Sequence, residues 1–334
     1  MLVVLQGPER GYKQKVKQLE FSRDGTQLYA GITKEQRGKP DIAQVRRLIL
    51  NAPNGIWDVL KESETPCDIA LTEMRCFPKG YGTHQMLVID GRWKYAFDKR
   101  GEMTWFTHDI NLVSRTYACF FPWERALIEY RGDWRLNNFL RQYDFHNDPP
   151  TETELALINL DPSDSISRRM LSPSSINGRR TWFILGTFDG LLVGWIEDFV
   201  FHTNSEYHHP GEFIWTSFSK NGHKIIGVCG LQVLIWEHLV STSNENPIRD
   251  VRSALLLKGH QQRITDTALL PDGRRIMTAS LDNTVRIWDI ETGEELERYD
   301  WGIGPVRSVA ISPDGAIAAA GGDGENQIVI WDLE

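Results

Sequence analysis

The stretch Ile264-Thr-Asp-Thr-Ala-Leu-Leu-Pro-Asp-Gly273 decides the fold, because Val306-Arg-Ser-Val-Ala-Ile-Ser-Pro-Asp-Gly315 repeats it. In each copy, alternating apolar residues lead into a Pro-Asp-Gly turn, in which Pro presets φ and Gly accepts a positive φ. A second β-rich run follows each turn. Each copy therefore predicts a β-hairpin.

The same pattern can be followed back along the chain. Its mark is the residue three positions before the turn aspartate, and the marks fall at Phe21, Cys76, Phe120, Leu171, Phe218, Leu269 and Ile311. They are between 42 (311 − 269) and 55 (76 − 21) residues apart, close to the roughly 40 to 45 of four-stranded propeller repeats. The spacing predicts an all-β, seven-bladed β-propeller that fills residues 1–334 as one domain. The count falls to six if residues 60–150, which depart most from the pattern, do not follow it.

A second mark supports this register, since a β-rich segment with a large apolar residue follows each turn. The best examples are Val285-Arg-Ile-Trp-Asp289, Ile328-Val-Ile-Trp-Asp332, Val233-Leu-Ile-Trp-Glu237 and Leu192-Val-Gly-Trp195. The last repeat lacks its fourth strand, and Met1-Leu-Val-Val-Leu-Gln-Gly7 resembles the fourth-strand segment Leu255-Leu-Leu-Lys-Gly-His260. We therefore expect the N-terminal strand to complete the last blade and close the ring, which removes an exposed edge.

The residues Gly259-His260, Pro271-Asp272-Gly273 and Trp288-Asp289 resemble a complete WD40 repeat. The resemblance is strong for residues 210–334 and weaker toward the N-terminus. It implies a hydrogen-bonded tetrad within one blade, formed by His260, Asp282, Trp288 and a strand hydroxyl, either Thr278 or Ser280. The tetrad, with Ser280 beside His260, Asp282 and Trp288, is interpreted as structural, because such a network satisfies buried polar groups.

Composition narrows the function classes. The net charge is −8, which argues against nucleic-acid and anionic-membrane binding, because both need concentrated Lys and Arg. The four cysteines form no Cys-x-x-Cys pair, and no stretch approaches the length of a membrane span. We expect a cytoplasmic protein with reduced thiols.

No motif predicts a catalytic, cofactor or metal site. Gly31-Ile-Thr-Lys-Glu-Gln-Arg-Gly-Lys-Pro40 has the wrong spacing for a phosphate loop. His202, His208 and His209 match no zinc pattern, and His209 stands at the position of the repeat's structural histidine. We therefore expect that the protein is not an enzyme.

Loops at one end of the blades are the expected binding face, because irregular loops on a rigid scaffold usually carry function. The candidate residues are Lys34, Arg37, Phe188, Arg263, Leu281 and Trp301. Aromatic and Arg side chains are typical of protein-binding hot spots. The leading hypothesis is a scaffold for protein partners, and the resemblance supports it because WD40 proteins are mostly non-enzymatic. The alternative is a ligand-sensing or hydrolytic propeller with a small-molecule site at the channel mouth.

Overall fold

The described part of the chain consists of strands and turns and contains no helix. The computed structural model describes residues 3–5, 13–35, 42–50, 56–63, 73–77, 86–90, 93–108, 116–121, 126–132, 138–144, 150–157, 174–176, 180–186, 190–197, 200–209, 211, 213–237, 254–323 and 328–333. Two compact units are present, and they are described separately. Unit 1 comprises Met1–Ile110 and His260–Glu334, and unit 2 comprises Asn111–Gly259.

Unit 1 contains four antiparallel sheets of four strands each in its described residues. Sheet 1 is formed by β2 (Lys13–Phe21), β3 (Gln27–Glu35), β4 (Ile42–Ile49) and β5 (Ile56–Ser63). Sheet 2 is formed by β6 (Glu73–Cys76), β7 (Met86–Asp90), β8 (Trp93–Phe97) and β9 (Met103–His108). Sheet 6 is formed by β22 (Ile264–Leu269), β23 (Arg275–Ser280), β24 (Val285–Asp289) and β25 (Glu295–Tyr299). Sheet 7 is formed by β26 (Val306–Ile311), β27 (Ile317–Gly322), β28 (Ile328–Asp332) and β1 (Val3–Leu5).

Unit 2 contains three further runs of four antiparallel strands. Sheet 3 is formed by β10 (Thr116–Phe121), β11 (Ala126–Gly132), β12 (Asn138–Asp144) and β13 (Thr151–Leu157). Sheet 4 is formed by β14 (Ser174–Ile176), β15 (Arg180–Gly186), β16 (Gly190–Glu197) and β17 (Val200–His208). Sheet 5 is formed by β18 (Phe213–Phe218), β19 (Lys224–Cys229), β20 (Gln232–Glu237) and β21 (Leu255–Lys258). The parallel pair Leu157↔Val200 joins sheets 3 and 4 into one eight-stranded sheet.

The N-terminal strand pairs as the sequence predicts. β1 lies antiparallel to β28, with Val3 opposite Ile330 and Leu5 opposite Ile328. It is therefore the fourth strand of sheet 7. That this pairing closes a ring of seven blades stays a prediction, as does the single domain over residues 1–334.

Six of the seven repeat marks lie at or next to the end of the first strand of a sheet, and Leu171 lies outside the described residues. The sequence prediction is wrong in one detail, since Ser174 and Ser175 belong to β14 and not to a turn. This segment lacks the turn glycine. The following residues include Asn177-Gly178 between the paired Ile176 and Arg180, and Asn-Gly is the strongest short-range hairpin signal.

The repeated turns are held by side chains. Ser312 Oγ donates to Asp314 Oδ1 over 2.6 Å, and Gly315 closes the turn at a φ of 76°. Ser22, Asp24 and Gly25 form the same turn in sheet 1. Glycine adopts a positive φ without the steric cost that a Cβ brings, so a larger residue at this position would be strained.

The sheets of unit 1 pack face to face through apolar side chains. One core cluster joins sheets 6 and 7 and includes Met277, Ile287, Val309 and Trp331. A second joins sheet 7 to sheet 1, and a third joins sheet 1 to sheet 2. In unit 2, a cluster around Trp195 and Trp236 joins sheets 4 and 5. Sheets 1 and 7 therefore each pack against neighbouring sheets on both of their faces, which keeps their loop ends in fixed positions.

Candidate functional site

Sheet 6 contains a chain of buried hydrogen bonds beneath its loops. His260, in the segment before β22, bonds through Nδ1 to Asp282 Oδ2 at 2.9 Å and through Nε2 to Thr278 Oγ1 at 2.7 Å. Trp288 of β24 donates from Nε1 to the same Thr278 oxygen over 2.9 Å. The structure thus brings together His260, Asp282 and Trp288 of the predicted tetrad, and Thr278 links His260 to Trp288.

The sequence left two candidates for the strand hydroxyl, Thr278 and Ser280; the structure selects Thr278, and naming Ser280 as the tetrad member is wrong. Ser280 Oγ donates to the carbonyl of Gln262 over 2.9 Å and accepts the Asp282 N–H over 3.1 Å. Thr278 and Ser280 are two residues apart on one strand and therefore share a face. Only the three-dimensional position of the His260 and Trp288 rings selects Thr278.

The protonation states of His260 and Asp282 follow from their burial and their hydrogen-bond partners. Burial lowers the pKa of His260 below its ordinary value, and this effect outweighs the attraction of Asp282. Burial alone would raise the pKa of Asp282, but hydrogen bonds from Thr284, the Gln261 N–H and His260 hold it well below its usual range. The geometry therefore fits a neutral imidazole that donates to an ionised Asp282 and accepts from the Thr278 hydroxyl.

Arg286 completes the network from β24. Its side chain is buried and donates from Nη1 to Glu295 Oε2 over 2.8 Å, while Nη2 lies 3.5 Å from Asp282 Oδ2. The guanidinium also stands over the Trp288 ring, 5.9 Å from its centroid. The network therefore pairs its buried charges internally, as expected of a structural device that fixes the loops above it.

The loops above the network place two candidate face residues together. The Gln261 N–H donates to Asp282 Oδ2 over 2.9 Å, and the Leu281 N–H donates to the Arg263 carbonyl over 3.0 Å. The segment before β22 is thereby joined to the turn between β23 and β24. Arg263 is exposed and Leu281 is half-buried, so a cationic and an apolar residue are joined through their backbones at this end of sheet 6.

Trp301 lies in the segment before β26 and is half-buried. It stacks on Tyr299 with ring centroids 5.0 Å apart and an interplanar angle of 9°, and it packs on Trp331 with centroids 4.5 Å apart. Part of its ring therefore supports the core between sheets 6 and 7. The rest faces the surface at the same strand end as Arg263.

The remaining face residues are placed as follows. Lys34 belongs to β3, opposite Ile42 of β4, and the prediction that it lies in a loop is wrong. β3 extends further than the sequence suggests, because Lys34 pairs with both Gln14 of β2 and Ile42 of β4, and Glu35 still pairs with Lys13 of β2. Arg37 and Phe188 lie outside the described residues.

Sequence reasoning missed the ion pair between Arg307 and Asp323. Arg307 Nε lies 2.9 Å from both Asp323 carboxylate oxygens. The Asp323 N–H donates to the Pro305 carbonyl over 3.0 Å, just as the Leu281 N–H donates to Arg263. The turn between β27 and β28 corresponds to the turn that carries Leu281 and Asp282. The repeat pattern alone predicts that these two turns are equivalent, but it does not predict that Asp323 pairs with Arg307.

The three neighbouring histidines lie on β17 and in the segment that follows it. His202 and His208 lie in β17, and His209 packs edge-on against Phe213 with ring centroids 5.7 Å apart. Among the described residues, no group of three or more His, Cys, Asp or Glu side chains could hold a metal ion. His209 stands at the repeat position of His260 but makes a ring contact in place of a tetrad.

The chain is similar to proteins with WD repeats. A family model described as "WD domain, G-beta repeat" matches residues 251–289 and 301–332. The guanine nucleotide-binding protein subunit beta of Arabidopsis thaliana is 29% identical over 40% of this chain and 34% of its own length. An uncharacterised WD repeat-containing protein of Schizosaccharomyces pombe is 32% identical over 22% of this chain and 18% of its own length. These matches thus cover about a third or less of the two relatives.

A solved structure resembles the fold over its whole length. The β-propeller domain of Cps50 (Swd1) from Myceliophteria thermophila matches with a TM-score of 0.71 at 13% identity, and the match covers 100% of both chains. At this identity the likeness shows the fold alone.

Proposed function

We propose that this chain, a WD40-repeat β-propeller, is a non-enzymatic scaffold in the cytoplasm that binds a protein partner through the loop ends of its sheets. In unit 1 the proposed face is the strand end that carries Arg263, Leu281 and Trp301. We also propose Lys34, Arg37 and Phe188 as partner-binding residues.

One observation carries the proposal. The buried network of sheet 6 fixes the segment before β22 to the turn between β23 and β24, and it presents Arg263 and Leu281 next to each other above it. A preorganised pair of cationic and apolar side chains loses little conformational freedom when a partner binds. Arg is also enriched among the residues that dominate binding energy.

The comparisons agree with this role. The Arabidopsis relative is named as a subunit, and a subunit is by definition part of an assembly. No helix in the part of the chain that the structure describes is long and apolar enough to cross a membrane. Among the described residues, no cluster of His, Cys, Asp or Glu that could hold a metal ion supports the alternative of a hydrolytic or ligand-sensing propeller.

The test is affinity capture from native cell extract with an immobilised double variant, Arg263→Ala with Leu281→Glu. The matched control is Leu296→Glu, because Leu296 is 46% exposed on β25, the outer strand of the same sheet. We expect wild type and the control to retain one specific protein, and the double variant to lose it. The proposal is overturned if wild type captures no specific protein, or if the control loses it as well.

A further inference from the structure

Three first strands of unit 1 carry a β-bulge at the same repeat position. The pairing register shifts between Val16 and Gln18, between Ile264 and Asp266, and between Val306 and Ser308. The extra residues are Lys17 in β2, Thr265 in β22 and Arg307 in β26. A bulge redirects a side chain and often stands next to a functional site.

Hydrogen bonds between the sheets place these bulges in a row. Thr265 Oγ1 donates to the Val306 carbonyl over 2.7 Å, which joins β22 to β26 at the residue before Arg307. The Leu19 N–H donates to Ser308 Oγ over 2.9 Å, which joins β2 to β26 one residue after it. Lys17, Arg307 and Thr265 therefore stand at corresponding positions on three adjacent first strands.

The row is cationic on a protein whose net charge is −8. Lys17 and Arg263 are exposed, Lys15 is partly exposed, and 36% of the Arg307 side chain is accessible. Asp323 pairs with Arg307, and Lys15 and Lys17 also have interaction partners within the chain. The carboxylate of Asp266 is directed toward the strands, where it accepts from Ser308 Oγ and from the Val309 N–H.

We propose that this cationic row, defined as Lys15, Lys17, Arg263 and Arg307, binds an Asp/Glu-rich segment of the protein partner. The inference rests on the proposed function and adds the chemistry of the partner. Charge complementarity of this kind speeds association and selects among partners, and guanidinium groups bind carboxylates through paired hydrogen bonds. A partner carboxylate would compete with Asp323 for Arg307.

The test measures fluorescence anisotropy of a short labelled peptide in which Glu alternates with Leu. The test variant is Lys17→Glu with Arg263→Glu. The control is Lys99→Glu with Arg100→Glu, which makes the same charge change at exposed residues between β8 and β9, at the other end of the strands. We expect the test variant to bind about ten-fold more weakly than wild type, and the control to change little.

A second variant should act in the opposite direction. Asp323→Asn removes the carboxylate that occupies Arg307 but keeps the backbone bond to Pro305. We expect it to bind the peptide about three-fold more tightly, a gain that misfolding cannot explain. Wild-type binding should weaken as salt rises from about 50 mM to about 300 mM, because the Debye length shortens.

Several outcomes overturn the inference. They are no binding by wild type, equal losses in the test and control variants, insensitivity to salt, and tighter binding of a labelled single-stranded oligonucleotide than of the peptide. The proposed function can survive this failure. If a partner captured from extract is still retained by Lys17→Glu with Arg263→Glu, the scaffold stands and its partner is not recognised through acidic residues.

Discussion

Sheets 6 and 7 share one strand pattern but stabilise it differently. Trp288 lies opposite Ile276 in sheet 6, and Trp331 lies opposite Ala318 in sheet 7. Two residues further along the second strand, sheet 6 has Thr278 and sheet 7 has Ala320. The hydroxyl that accepts the Trp288 N–H therefore has no counterpart at that position in sheet 7.

Sheet 7 compensates with aromatic packing. Nε1 of Trp331 is buried and has no hydrogen-bond partner in the structure, but the ring packs against both Trp301 and Tyr299. The position before β26 that corresponds to Gly259-His260 is filled by Trp301-Gly302. A directional polar network has thus been replaced by less directional ring contacts, which tolerate small shifts more easily.

Sheet 5 gives a third solution at the same position. Trp236 lies opposite Ile225, and Gly227 stands where sheet 6 has Thr278. A Cβ at Gly227 would lie 2.7 Å from a ring atom of Phe213 and 3.2 Å from Trp236. The aromatic ring of Phe213 fills the space that the Thr side chain occupies in sheet 6. The repeat therefore constrains the volume at this site more strongly than its chemistry.

The largest expected effect comes from removing the shared hydroxyl. Thr278→Val keeps the shape but leaves the Trp288 N–H and the Nε2 lone pair of His260 buried without partners. The free energy of unfolding should fall by about 4 kcal/mol in urea titrations followed by circular dichroism. Thr278→Ser restores the oxygen and should cost much less. Equal losses in the two variants would show that packing and not hydrogen bonding holds sheet 6.

A hydroxyl introduced into sheet 5 at the position of Thr278 should destabilise the protein. Gly227→Thr should lower the free energy of unfolding by about 3 kcal/mol, because the new side chain overlaps the buried Phe213 ring. Combining it with Phe213→Ala should recover part of the loss by making room. If the single variant is as stable as wild type, the ring is not fixed at this position.

The two tryptophans should respond differently to the same substitution. Trp288→Phe removes a donor that Thr278 needs, whereas Trp331→Phe removes an N–H without a partner. We expect the first change to be about 2 kcal/mol more destabilising than the second. Parallel urea unfolding of both variants measures this difference. A difference near zero would mean that the indole bond in sheet 6 adds nothing to stability.

Acid should weaken the network of sheet 6. The pKa of His260 is lowered from its ordinary value of 6.5 by burial, so the unfolded chain takes up a proton before the folded chain does. Its contribution to stability is complete above pH 6.5 and is lost as pH falls below that value. Comparing wild type with His260→Gln between pH 8 and pH 5 isolates this effect from the other histidines. A variant with the same pH slope as wild type would contradict it.

The smallest expected effect is a gain in stability from a substitution in sheet 7. Ala320→Thr places an oxygen where the Trp331 N–H can reach it and should raise the free energy of unfolding by about 1 kcal/mol. Ala320→Val has the same shape without the acceptor and is the control. If both variants destabilise the protein equally, the geometry of sheet 7 does not reproduce that of sheet 6.

The sequence predicted much of the strand framework. Pro-Asp-Gly turns located the hairpins because Pro and Gly act on the backbone directly. The resemblance of Met1–Gly7 to residues 255–260 predicted the pairing of β1 with β28, since a fourth strand has its own apolar signature. The turn of sheet 4 was misplaced, because its segment lacks the glycine that marks the others.

The candidate site was predicted only in part. His260, Asp282 and Trp288 are distinctive residues at fixed offsets, and the resemblance identified them. Lys34 was assigned to a loop because the stretch Gly31–Pro40 was treated as one loop. No residue in that stretch shows from the sequence where β3 ends. The Arg307–Asp323 pair was missed, since residues 16 positions apart are matched by folding and not by local pattern.

The sequence alone therefore determined much of the strand framework, where most turns lie and which polar residues a WD40-type repeat requires, because these depend on local backbone preference and on periodicity. Only the tertiary structure decided that Thr278 and not Ser280 joins the network, that Trp301 supports Trp331, and that the bulges at Lys17, Thr265 and Arg307 lie on adjacent first strands. Each of these depends on atoms brought within a few ångströms by the packing of neighbouring strands and sheets. Hydrogen bonds and ring contacts act only over such distances, so a linear pattern cannot select among residues that share one face.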